Sequence, residues 1–171
     1  GIYNKETKAW MPYVERFAVS EIIEPPLFIQ ATVAQKRDLT MGLGSNAQAE
    51  LTYRNNSNVP LRNLIITVTL EGPYDPVSLR APTGAVIGSN TIQWKVATDP
   101  ALGVLEIGET RTLPFSFNAH RPNRVGAIKN ADIVVTAHIT AEKDESVDFT
   151  PVGSDMLRIP INAVPYFSSK A

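Results

Sequence analysis

Apolar and polar residues alternate one by one along segment after segment of this chain, and turn-forming residues separate the segments. Period-two alternation puts successive side chains on opposite faces of an extended strand, so one face can enter a core while the other meets water. In 47–54 the apolar set Ala47, Ala49, Leu51 and Tyr53 alternates with Gln48, Glu50, Thr52 and Arg54. The inward set is Leu64, Ile66, Val68 and Leu70 in 63–71, and Ile92, Trp94 and Val96 in 91–96. Further strands are predicted over 27–34, 111–117, 132–140 and 156–163. Helical periodicity is scarce. Breakers fall between the strands: Gly42 and Gly44, 55–60, Gly72-Pro73, 82–84, Gly88, Gly108 and 122–126. The expectation is an all-β, antiparallel, two-sheet sandwich of about 7–9 strands. Pro114 and Pro160 lie inside predicted strands, where a missing N–H is tolerated at an edge or a bulge. Both strands are therefore expected at edges, which favours a sandwich over the alternative of a closed barrel.

The ends read differently. Residues 1–26 carry Trp10, Tyr13, Val14, Phe17 and Ile22 at roughly helical spacing, interrupted by Pro12 and Pro25-Pro26. This stretch is expected to be an arm or linker whose apolar residues are covered by the sandwich itself, a neighbouring domain or an identical subunit. The sandwich would occupy 27–163, and 164–171 would run out as a tail or a link.

Composition narrows the function. With 171 residues the chain can bury one sizeable core but not two. A net charge of −1, with Lys and Arg scattered singly, removes the electrostatic basis for nucleic-acid binding. No cysteine is present, which excludes disulfides and thiolate chemistry but does not fix the compartment. No stretch approaches the roughly 20 apolar residues of a membrane span. The start at Gly1 lacks the pattern of a signal peptide and reads as a processed or excised chain.

Candidate chemistry is thin. His120 and His138 lack metal-ligand spacing, and the serines lack a nucleophile elbow, so no catalytic residue and no cofactor is expected. Glu142, Asp144, Glu145 and Asp148 supply oxygen atoms that could attract calcium, although their spacing does not match a calcium loop and also suits a solvated hairpin tip. The run 84–88 lacks the ending of a phosphate loop and reads as a turn. Asn55-Asn56-Ser57 fits the N-glycosylation acceptor pattern, making Asn55 a glycan candidate. Trp94 shares its phase with Ile92 and Val96 and is expected inside, whereas Trp10 and Tyr74 are the candidate exposed aromatics.

The order of turns and strands across 27–145 resembles the conserved-repeat domain of bacterial and archaeal surface proteins. The residues that carry the resemblance are Tyr53, Asn55 and Asn56, then Asn58, Pro60, Leu61 and Asn63, then Ile92 and Trp94, and finally Leu105, Gly108 and Glu109. Ile107 stands where the family usually has a proline. The resemblance implies an immunoglobulin-like sandwich in a cell-surface or extracellular protein, and no catalytic residues. A non-catalytic structural or spacer module is the leading expectation. The alternatives are a filament or layer subunit that donates its arm to a sheet edge of the next copy, and a carbohydrate-binding or adhesin module.

Overall fold

The computed structural model describes residues 25–82, 84–119 and 132–162. Its strands are β1 (Leu27–Val33), β2 (Met41–Gly42), β3 (Asn46–Asn55), β4 (Leu61–Arg62), β5 (Ile65–Glu71), β6 (Tyr74–Arg80), β7 (Ala85–Ile87), β8 (Thr91–Lys95), β9 (Val104–Leu105), β10 (Thr110–Ala119), β11 (Asp132–Thr140) and β12 (Val152–Asn162). A 3-10 turn, Pro100–Gly103, is capped by the Asp99 carboxylate, which accepts from Ala101 N–H. Every segment read from alternation is a strand. The count exceeds expectation because β2, β4, β7 and β9 are too short to show a period.

The strands form two sheets, β1-β3-β10-β6 and β2-β12-β11-β5-β8-β7, with β4 and β9 as a separate ribbon. Pairing is antiparallel except for β2 against the end of β12, where Met41 lies opposite Ile161. The core sits between the sheets. Ala31, Leu51, Tyr53, Phe115 and Phe117 come from one side, and Ile66, Val68, Trp94, Val135 and Ile159 from the other, all buried. Burying each large apolar side chain contributes about 1.5–3 kcal/mol, which is what the alternating sequence supplies to offset chain entropy. The inward sets read for 47–54, 64–70 and 92–94 are all buried; Val96 falls just past the end of β8 and is half-buried.

The prolines sit where a missing donor is harmless. Asn55 N–H donates to Glu109 O and Ala119 N–H to Ser45 O, so odd-numbered residues of β10 bond to β3. Pro114, opposite Glu50, therefore turns its nitrogen away from β3. On that side β6 begins to pair only at Ser116. β10 is thus an inner strand whose first half is open, a correction to the expected edge strand. β12 is bordered on its outer side by the two-residue β2 alone, so Pro160 does stand close to an edge. The run 84–88, read as a turn, holds β7, which pairs with β8.

Candidate functional site

The residues behind the family resemblance gather at one end of the sandwich, where β3 ends and β10 begins. Asn55 is 0% exposed. Its Nδ2 donates to Val59 O at 2.8 Å and Leu105 O at 2.9 Å. Its Oδ1 accepts from Ser57 N–H at 2.9 Å and Ser57 Oγ at 2.6 Å. The nitrogen a glycan would need is thus buried and fully engaged, which corrects the acceptor reading of Asn55. The amide instead ties the 55–59 turn to β9. The neighbouring Asn56 Nδ2 donates to Pro25 O, so the incoming chain is fastened at the same end.

The rest of the motif completes this corner. Gly108 takes a φ of 77°, the left-handed turn that lets its N–H reach Asn55 O. Glu109 closes the turn by accepting from Glu106 N–H and from the Arg111 guanidinium, whose hydrogen bond holds the Glu109 carboxyl below its usual value. Arg111 also donates to Ala101 O and Val104 O and meets the buried Tyr53 phenol. Burial raises the Tyr53 pKa, and Arg111 partly opposes that rise. These polar groups bond to one another and to the turn backbone.

A second arrangement lies between the outer margins of the two sheets. Asn56 N–H donates to Pro26 O and Ala34 N–H to Gln48 O, so even-numbered residues of β1 bond to β3. Leu27 and Ala31 therefore turn their backbone groups outward, toward β12. No ladder joins β1 to β12. Side chains make the connection: Asp155 Oδ2 accepts from Ala31 N–H at 2.8 Å, and Arg37 donates to Ala31 O at 2.9 Å. The Arg37 guanidinium in turn grips the Asp155 carboxylate through both of its oxygens. Near the start of the seam β12 approaches so closely that a Cβ on Gly153 would lie 2.4 Å from Leu27 O. A groove of about 440 Å³ runs along this seam, floored by Leu27, Ile29 and Gly153.

The remaining candidates scatter. Among the described residues no group of three or more His, Asp or Glu side chains could hold a metal ion. Asp144 folds onto Ser146, whose hydroxyl and N–H hold its carboxyl below the usual range. Glu142 accepts from Asn63 Nδ2. Glu142, Asp144, Glu145 and Asp148 thus do not converge, which corrects the calcium reading in favour of a solvated tip. Tyr74, expected to be exposed, is 8% exposed: it opens β6, meets Phe117 edge-on at 6.3 Å and donates to Ser89 O. Trp94 is fully buried as expected, and its indole N–H has no partner among the described residues. His138 lies on the outer face of β11. His120, Trp10, Tyr13, Val14, Phe17, Ile22 and the tail 164–171 lie outside the described residues.

No family model and no curated protein matches the sequence. Solved structures do align with this chain. The major pilin subunit of Bacillus cereus aligns with a TM-score of 0.53 at 11% identity, over 79% of this chain and 40% of that one. A CARDB domain from Pyrococcus furiosus aligns at 0.42 and 13% identity, over 86% of this chain and 100% of that one. A GH20 exo-β-N-acetylglucosaminidase from Vibrio harveyi aligns at 0.42 and 14% identity. This chain is matched over 81% of its length there but spans only 18% of that enzyme. At such identities the likeness to the pilin supports the β-sandwich fold and nothing finer.

Proposed function

We propose that this domain is a non-catalytic structural module of a larger extracellular or cell-surface protein, of the conserved-repeat kind that its turn motifs resemble. The observation that carries this reading is where the chain comes in and goes out. Leu27 lies beside Gly153, Ala31 beside Asp155 and Met41 beside Ile161, so β1, β2 and β12 run the same way. The first described residue, Pro25, lies at one end of the sandwich, and the last, Asn162, at the other. β12 alone has 11 residues, which at about 3.3 Å each separates the two points by roughly 30 Å. A sandwich whose first and last described residues lie at opposite ends is suited to stand in line between neighbours.

The second reading, assembly by donation of the arm 10–24 to a sheet edge of another copy, is favoured by one observation. The outer strand β7 presents the exposed Val86 and Ile87 at the margin of the six-stranded sheet. Light scattering over a wide concentration range separates the two, using the full chain and a version lacking 1–24. A monomeric, folded product from both supports the in-line module. Assembly of the full chain alone overturns it and moves strand donation to first place.

A further inference from the structure

We infer that the Arg37–Asp155 pair, closing on the outward-facing backbone of Ala31, is a clasp that carries tension from β1 to β12. The inference rests on the in-line reading, because tension matters only for a domain placed between neighbours. Its basis is the direction of the strands. Pulling Pro25 and Asn162 apart draws β1 toward one end of the sandwich and β12 toward the other, so the two slide past each other lengthwise. Bonds across a sliding seam are strained together, whereas bonds across an opening hairpin break one after another. The clasp lies across that seam.

Several details point the same way. β1 and β12 belong to different sheets, so no backbone ladder resists the slide. Ala31 N–H and C=O, left free by β3, are instead taken by Asp155 and Arg37. The carboxylate belongs to the last described strand, and the backbone it holds belongs to the first. Arg37 follows directly after the turn that ends β1, where the Val33 N–H to Lys36 O bond fixes the chain and positions the guanidinium. Further along, Met41 and Gly42 pair with Ile161 and Asn162 as a short parallel bridge, a second link in the same direction. The two members of each link stand 118 and 120 positions apart in the sequence, respectively. Neither could form without the whole sandwich in place.

The test is single-molecule unfolding at constant force in two directions. In the first, the full chain is held by handles at its two ends. In the second, it is held through Val77→Cys and Val86→Cys; these side chains are 80% and 49% exposed, lie on β6 and β7 at the far margin, and are unique attachment points in a chain without cysteine. Asp155→Ala is expected to speed end-to-end unfolding about tenfold, as loss of a charge-assisted hydrogen-bonded pair implies, and the transverse unfolding less than about twofold. Arg37→Gln, which keeps Asp155 in place to accept from Ala31 N–H, should give a smaller shift with the same directional bias. Circular dichroism verifies that both variants are folded. Equal acceleration in the two directions would show a plain loss of stability and overturn the clasp, as would no change end to end. Failure of the in-line reading shows up elsewhere, as assembly of the unaltered chain in light scattering.

Discussion

The corner around Asn55 and the seam around Asp155 solve the same problem with opposite chemistry. Each must satisfy strand or turn backbone that no neighbouring strand reaches. At the corner a neutral amide does so with no access to water, and all four of its hydrogen bonds are to protein. At the seam a charged pair does so with the Arg37 side chain 38% exposed, where water can take over what is lost. The difference teaches that these two sites, similar in hydrogen-bond count, should differ widely in what their removal costs. An unmet buried group loses its full hydration, whereas an unmet exposed one recovers it.

Asn55→Ala should therefore be the most damaging polar change in the domain. It strands Leu105 O and Ser57 N–H, while Val59 O keeps the Ser57 hydroxyl, and the expected loss is about 3 kcal/mol. A urea midpoint shifted by less than a third of that would mean that water enters the corner, and the contrast with the seam would fall. Gly153→Ala attacks the seam by shape rather than charge. Its methyl group would meet Leu27 O, a backbone atom with no rotamer to escape by, and the separation of β1 from β12 should cost about 2 kcal/mol. An unaltered melting temperature would show that β12 yields there, and that closeness at the seam is incidental.

The ion pair itself is worth less. In a double-mutant cycle, Asp155→Ala and Arg37→Ala should couple by about 1 kcal/mol, and the coupling should shrink in about 1 M salt because the pair is partly exposed. Coupling as large as the Asn55 effect would erase the distinction drawn here. The smallest effect concerns Glu109 at the corner. Its carboxyl is held below the ordinary 4.5 by the Arg111 hydrogen bond, so on acidification the unfolded chain takes up its proton first. The stability it contributes is complete above pH 4.5 and is lost as the pH falls through the lower folded value. Glu109→Gln should flatten the urea midpoint between pH 5 and pH 3, and identical slopes for the two proteins would remove Glu109 from the corner's account.

Much of the fold was legible because alternation reports burial directly, and the segments around Leu51, Ile66, Trp94 and Val135 needed nothing else. β6 was not legible. Pro76 and a register shift opposite Ser116 and Asn118 break its period, and Ser78 Oγ accepts the Asn118 N–H in place of a strand carbonyl. β7 was hidden by the glycines on either side of it. The corner was visible as an ordered set of turn residues, but the acceptor pattern at Asn55 cannot tell an Asn that bonds inward from one that offers itself to solvent. The clasp left no trace in the sequence, since 118 positions separate its members and neither stands in a motif.

Pro114 bears on how copies of this chain avoid one another. The first half of β10 has one side uncovered, and a stray strand could pair there before β6 docks or whenever it lets go. At the middle of that stretch the ladder it would have to build lacks a donor, because the ring nitrogen carries no hydrogen and points to the open side. An intruding strand would bond for a residue or two and then find nothing to bond to. The proline acts as a built-in safeguard against clumping, placed on a stretch of an inner strand that β6 leaves unpaired.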